Sequence, residues 1–336
     1  MTQFDKEYPV GSWGKGLLLW GLLAKFMYDQ DNDALDFVRK WVDQSVKTQT
    51  PDGELSGGDP SQGNFALIGL SALYFAELEK KESMFSESIQ KQADYLLHPS
   101  LKRSDKGAIY YLKVLPQIWV DMVIMICPFL ARASNFLKAP KYADEAIKQL
   151  LLHVDYLKDP GTNLYRHIWD EKKKKFYEGS LWGRGNGWML ASLVEVAEQL
   201  SDDHPKKGQL IKEIQWLAES LMLCQDESGL WRTLLDDVSE KSKVETADTL
   251  IITYGLSKAI RNGWIDAEFS EFVQKAFDAV IVCVSEDGMV TKASGQTIDP
   301  KRTPYNKPYP HAQGFFLITT LEIAKLMHFL KEKDKL

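Results

Sequence analysis

An Asp followed within three residues by Gly, then by apolar or aromatic residues, recurs five times along the chain. The instances are Asp52-Gly53, Asp105-Lys-Gly107, Asp159-Pro-Gly161, Asp226-Glu-Ser-Gly229 and Asp287-Gly288. Their starts lie 53, 54, 67 and 61 residues apart, and each interval holds two segments of helical periodicity. Singly, Asp-Gly is turn chemistry, with Gly supplying positive φ. Repeated at a period of two helices, it implies a stacked array of helical hairpins. With one helix of each pair inward and one outward, five or six hairpins close into a toroid. Inner-helix ends and long loops then converge on one face, where a cleft forms.

The apolar spacing predicts eleven helices: Gly16–Gln30, Asp33–Lys47, Asn64–Glu79, Met84–Leu97, Trp119–Leu137, Lys141–Leu157, Trp182–Leu200, Lys206–Cys224, Glu245–Asn262, Ala267–Val284 and Ala312–Glu332. Alternating patterns are scarce. Short strands are expected near Asn163–Trp169 and Lys175–Tyr177, with Asp170-Glu171-Lys172 turning a hairpin and Lys172–Lys175 as its solvated tip. The fold class is all-α. No Pro/Ser/Gly-rich linker divides the chain, so 1–336 reads as a single domain with 1–10 as an N-terminal extension. The longest non-helical stretches (98–118, 158–181, 225–244, 285–311) alternate with helix pairs, and loops this long are usually functional.

Composition narrows the partners. The net charge of -6 offers no basic field to neutralise phosphates, which argues against nucleic acid. The longest apolar run, Val120 to Leu130, holds Asp121 and Pro128 and falls short of a membrane span. The first residues lack the basic and apolar regions of a secretory signal. Cys127, Cys224 and Cys283 show no metal or redox spacing and read as buried thiols of a reducing compartment. A cytoplasmic protein is therefore expected. Ten Trp and thirteen Tyr are many for this length, and several sit beside Gly, Asp or Arg. Such rings suit a site for sugars, having an apolar face and a polar tip.

Four segments hold the candidate chemistry. In Gln117-Ile-Trp119-Val-Asp121, a carboxyl opens an otherwise apolar helix beside Trp119. Asp121 either caps the helix or, partly desolvated, serves as a general acid, because desolvation favours a protonated carboxyl. In Trp182-Gly-Arg184-Gly-Asn-Gly-Trp188, three glycines in five residues oppose helix stability. They are expected to let the backbone come close to something while Trp182, Arg184 and Trp188 surround it. Arg184 suits a carboxylate. His167 lies in Tyr165-Arg-His167-Ile-Trp-Asp-Glu171 and His311 in Pro310-His311-Ala-Gln-Gly314; each is either a site residue or merely structural. The six His lack HxxxH or HExxH spacing, so no metal site and no cofactor is expected.

In this order and spacing, the four segments, with Met125 and Pro128-Phe129, resemble glycoside hydrolase family 105, the unsaturated rhamnogalacturonyl hydrolases, relatives of the unsaturated glucuronyl hydrolases of family 88. The resemblance covers roughly residues 11 to 330. It implies an (α/α)6 toroid acting without cofactor on oligosaccharides whose non-reducing uronic acid carries a C4=C5 double bond. A carboxylic acid protonates C4, OH adds at C5, and the hemiketal opens to a 4-deoxy-5-keto uronate and a released sugar. By this resemblance Asp121 is the acid/base, and His167, Trp182, Arg184 and Trp188 line the sugar pocket. Gln117, Trp119 and His311 are further substrate-binding candidates. We expect Arg184 to neutralise the substrate carboxylate and Trp182 or Trp188 to stack on its ring.

The sequence departs from the family pattern in three ways. A second Asp usual near the third helix is matched by Asn64, with Asp59 as a substitute if its loop folds back. A His usual about eleven residues before the acid is matched by Tyr110. A complete toroid has twelve helices against eleven here, leaving the ring incomplete, completed by a partner, or completed by a helix without a clear pattern. The alternatives are a cofactor-free sugar epimerase or isomerase on the same toroid and a non-catalytic carbohydrate-binding relative. An epimerase needs paired basic residues on inner helices, whereas His here favours loops and outer helices.

Overall fold

The computed structural model describes residues 12–55, 61–79 and 84–333. Eleven α-helices lie among them: α1 (Trp13–Asp29), α2 (Asn32–Lys47), α3 (Ala66–Glu79), α4 (Met84–Leu97), α5 (Asp121–Leu137), α6 (Lys141–Leu157), α7 (Gly183–Gln199), α8 (Lys207–Leu223), α9 (Thr246–Arg261), α10 (Ser270–Ile281) and α11 (Pro310–Lys333). The expected N-terminal extension, 1–10, lies outside the described residues, as does Asp59.

The odd-numbered helices form the inner ring. Each packs on the next, α1 on α3 and so round to α9 on α11, and α11 closes the circle against α1. The inner helices α7 and α9 are buried on all sides, whereas the C-terminal half of α11 exposes one face. In α9 every residue from Thr246 to Ile260 is buried, and in α7 every residue from Gly183 to Ala197. Outer helices bury one stripe: α2 buries Ala34, Val38, Trp41, Val42 and Ser45, the spacing of a single helical face. Six inner helices thus complete a closed ring with five outer helices among the described residues. The α11–α1 seam is tight because it meets at glycines. A Cβ on Gly314 would strike the Leu17 carbonyl, and one on Gly21 would strike the Gly314 backbone.

The repeated turns return the chain from each outer helix to the next inner one. In each, one N–H (Thr50, Ser104, Asp159, Asp226, Ser285) donates to a carbonyl four or five residues on (Glu54, Ala108, Leu164, Leu230, Met289). Four use the expected glycine at positive φ: Gly53, Gly107, Gly229 and Gly288. The third does not, since its left-handed residue is Asn163 at φ 58° rather than Gly161. Asn tolerates that conformation through local side-chain hydrogen bonding.

The expected hairpin exists as β2 (Ile168–Asp170) and β3 (Lys175–Glu178), with Lys172 to Lys175 exposed at its tip. A third strand, β1 (Gln117–Trp119), pairs antiparallel with β2, setting Gln117 opposite Asp170 and Trp119 opposite Ile168. Two further ladders, β4 (Trp231–Arg232) with β5 (Val244–Glu245) and β6 (Ala293–Ser294) with β7 (Tyr305–Lys307), also brace the loops. Strands of two or three residues are too short to show a period of two, so the pattern missed them. No described helix is long and apolar enough to cross a membrane.

Candidate active site

Inner helices begin at the mouth where the loops gather. The end of β1 sets the central pair. The Val120 N–H donates to the His167 carbonyl at 3.0 Å, extending the β1–β2 ladder by one step. Asp121 follows as the first residue of α5, and its Oδ2 lies 3.3 Å from His167 Nε2. His167 is wholly buried, while the Asp121 side chain retains 14% exposure. Asp121 Oδ2 and both His167 ring nitrogens are buried without a hydrogen-bond partner among the described residues. Leaving such groups unmet costs about 1–3 kcal/mol each, so the arrangement is kept at the expense of stability.

Aromatic rings wall this pair. Trp119 meets His167 edge-on at 5.5 Å, and Trp182 lies 4.5 Å from it on another side. Gln117 Oε1 accepts from Trp119 Nε1 at 3.1 Å and so fixes the indole. Tyr111 stacks on Trp119 at 4.5 Å and 16°. Its neighbour Tyr110, the expected site residue, is half-buried toward Glu171 and Tyr156, and burial together with Glu171 raises its hydroxyl pKa. Tyr111, rather than Tyr110, is thus the residue that contacts Trp119. Asn64, buried with its N–H on Ser61 Oγ, precedes α3 next to Gly63, where a Cβ would strike Met122 and Ile126 of α5.

The glycine segment does bring the backbone close to something, namely other parts of the chain. A Cβ on Gly183 would run against the Arg232 carbonyl and Asp248, one on Gly185 against Val120, and one on Gly187 against Ile251. These glycines bring α7 close to its neighbours α5 and α9 and to β4. Trp188 is fully buried against Phe315 at 5.5 Å and Trp13 at 6.3 Å. It therefore stands behind Trp13, which is only half-buried, and offers no open face for stacking. Trp182 is 1% exposed, with its Nε1 unpartnered.

Arg184 is also enclosed. Its Nη1 donates to Ser294 Oγ at 2.6 Å and the Ser294 carbonyl at 3.0 Å, and its Nη2 to the Gly295 carbonyl at 2.6 Å. Glu245 and Asp248 each lie 3.7 Å from Nη1. The expected carboxylate partner is thus present in the chain itself. Burial first, then the Glu245 charge, push the Asp248 carboxyl well above the usual range against the pull of Arg184. Burial and the Glu245 charge thus favour the protonated form of Asp248, and Arg184 opposes them. His311 shares the strut: its Nε2 lies 3.1 Å from the Ser294 carbonyl, with Trp13 at 4.7 Å and Tyr309 at 5.5 Å. Burial and the nearby Arg184 hold its pKa well below the ordinary value, so the ring is neutral and carries its proton on Nε2.

Trp13, Tyr111, Glu178 and Asp248 were not anticipated. Trp13 had a visible signal, because Ser12-Trp13 can cap and open a helix. The Ser12 side chain accepts from Lys15 N–H, starting α1 three residues before the expected Gly16. Among the described residues no three His, Cys, Asp or Glu side chains gather as a metal site.

Comparison with known proteins gives a consistent answer. The sequence profile of Glycosyl Hydrolase Family 88 matches residues 2–327. The chain is 27% identical over 334 residues to the unsaturated rhamnogalacturonyl hydrolase YesR of Bacillus subtilis (strain 168), covering 96% of this chain and 91% of that protein. The crystal structure of a possible member of the glycoside hydrolase 105 family from Klebsiella pneumoniae superposes with a TM-score of 0.84 at 24% identity, over 94% of this chain and 82% of that one. A family 105 glycoside hydrolase of C. acetobutylicum also gives 0.84 at 21% identity, over 96% of both chains. The closed ring of inner helices is the (α/α)6 toroid of these neighbours.

Proposed function

The chain belongs to Glycosyl Hydrolase Family 88 and is a glycoside hydrolase, and from that membership we propose that it hydrates the C4=C5 double bond of an unsaturated uronic acid at the non-reducing end of an oligosaccharide. The rhamnogalacturonyl class is the preferred substrate, by likeness to YesR. The observation that carries the reading is Asp121: a carboxyl at the loop-rich mouth, one oxygen buried and unpaired among the described residues, against His167, whose ring lies between Trp119 and Trp182. Asp121 protonates C4, and a water losing its proton to the resulting carboxylate adds OH at C5. The acid is regenerated within the cycle, so one carboxyl suffices, with Asn64 as a neutral hydrogen-bonding neighbour.

The other residues take roles that follow from their contacts. Arg184 and His311 hold the β6 strand and the start of α7 through Ser294, rather than gripping the sugar acid. Trp13, Trp119 and Tyr111 supply aromatic walls, and Trp188 supports Trp13 from behind. The ring acts as one catalytic unit. Three free thiols fit a reducing, cytoplasmic location.

The test is ultraviolet absorbance of the conjugated uronate, with lyase-generated rhamnogalacturonan and glycosaminoglycan disaccharides side by side. Loss of absorbance on the rhamnogalacturonan product is expected first. Persistence of the chromophore in every sample, with saturable binding retained, would instead favour a carbohydrate-binding protein.

A further inference from the structure

The ring nitrogen of His167 that faces away from Asp121 points at a second carboxylate. His167 Nδ1 lies 3.9 Å from Glu178 Oε2, an ionic rather than a hydrogen-bonding separation. Both residues sit deep, with the ring wholly buried and the Glu178 side chain 14% exposed. Glu178 ends β3 and pairs across the hairpin with Ile168, the residue after His167, so the ladder itself sets the approach. The carboxylate is anchored by Ser180, whose N–H donates to Oε2 at 2.9 Å and whose hydroxyl donates to Oε1 at 2.8 Å. The turn beyond is tied by Arg166, which donates to the Gly179 carbonyl and pairs with Asp159. Nδ1 has no hydrogen-bond partner among the described residues, so Glu178 is the carboxylate that an Nδ1–H would face.

Resting on the functional reading above, we propose that Glu178 is a positioning residue that acts on the reaction through His167. With its carboxylate toward Nδ1, Glu178 selects the tautomer protonated there. Nε2 is then left as an acceptor facing Asp121, and a hydrogen bond to it from the protonated carboxyl fixes the orientation of that carboxyl before C4 is attacked. As that proton leaves for C4, Asp121 becomes a carboxylate beside the ring. The proton released by the attacking water returns to Asp121, so His167 and Glu178 gain and lose none over the cycle. This Asp–His–Glu line supplies the second carboxylate that Asn64 cannot. Other groups facing the ring are the indoles of Trp119 and Trp182, with Arg184 on the far side of Trp182 and Lys301 3.9 Å behind Glu178. A histidine oriented by a carboxylate on its other nitrogen is a recurrent way of fixing the tautomer.

The experiment measures the ring-nitrogen spectrum of His167 in 15N-histidine-labelled whole protein, alongside turnover of Glu178→Gln and Glu178→Asp. The unmutated protein is expected to carry the neutral ring proton on Nδ1, and Glu178→Gln to move population toward Nε2. Turnover of Glu178→Gln should fall about ten- to a hundred-fold in kcat, with KM changed less than two-fold and an altered pH profile. Glu178→Asp should restore part of the loss. An Nε2–H tautomer in the unmutated protein, or a Glu178→Gln protein with unchanged spectrum and pH profile, would overturn the proposal. Absence of turnover by the unmutated protein would remove the functional reading, and the spectrum alone would then decide whether Glu178 orients the ring.

Discussion

The two mouths of the toroid treat their buried charges in opposite ways. At the mouth where inner helices begin, Asp121 Oδ2, both His167 nitrogens, Trp182 Nε1 and both Asp248 oxygens are buried without hydrogen-bond partners among the described residues. Toward the ends of the inner helices, a cavity of about 330 Å³ is lined by Trp20, Tyr254, Arg132, Lys258, Arg261 and Glu322, among others. There most of the charges are matched, although Arg132 Nε has no hydrogen-bond partner among the described residues. Glu195, wholly buried beneath it, accepts from Arg132 at 2.6 Å and from Tyr254 and Lys258; Lys258 reaches Glu198 at 2.8 Å, and Arg261 joins Glu198 to Glu322. Burial alone would raise the Glu195 carboxyl, but Lys258 and Arg132 outweigh it and hold it well below the usual carboxylate range. On the proposed function, the loop-rich end keeps polar groups for a substrate, whereas the other end pairs most of its charges within the chain.

Neutralising one carboxylate at each mouth should therefore separate activity from stability. Asp121→Asn is expected to cut turnover roughly a hundred- to ten-thousand-fold, the usual contribution of a general acid, while thermal unfolding stays within a degree or two of the unmutated protein or rises. Steady-state rates and calorimetry on the same sample check it. A large loss of melting temperature would break the contrast.

Glu195→Gln is expected to do the reverse, losing about 3–5 kcal/mol of stability because it strands buried cations, with the rate per folded molecule preserved. Its depressed folded-state pKa sets the sign with pH. The contribution of Glu195 is present above the unfolded carboxyl's pKa of about 4.3 and is lost as pH falls toward the folded value. The gap between unmutated and Glu195→Gln proteins in urea titrations should thus narrow on acidification.

Asp248 gives the smallest effect and the opposite sign. Its raised folded-state pKa means that its favourable contribution is complete below the unfolded pKa of about 3.9 and fades as pH rises toward the folded value. Asp248→Asn, which mimics the neutral acid, should lose little near neutrality and gain relative stability as pH increases. A variant that weakens with rising pH would show that Arg184 needs an ionised Asp248.

The partners of Glu195 explain why this network was invisible in the chain. Arg132, Tyr254 and Lys258 lie 63, 59 and 63 residues away, about one repeat in either direction. Nothing local to Ser192-Leu-Val-Glu195 marks that carboxyl as paired. Asp121 could be singled out as a candidate from the string because Gln117 and Trp119 lie within four residues of it.

What the sequence determined alone were the local quantities: eleven helices nearly to their ends, the turn repeat, and the order of the motif segments. Helical periodicity and turn chemistry act over a few residues, so they can be read from a string. Only the tertiary structure decided that α11 closes on α1 through Gly21 and Gly314, that Tyr111 rather than Tyr110 meets Trp119, and that Trp188 hides behind Trp13. It also decided that both Arg184 Nη atoms are taken by Ser294 and Gly295, with two acids of its own chain beside them. Each of these depends on which side chain reaches a neighbour from elsewhere in the ring, and packing between distant segments is the only place where that is specified.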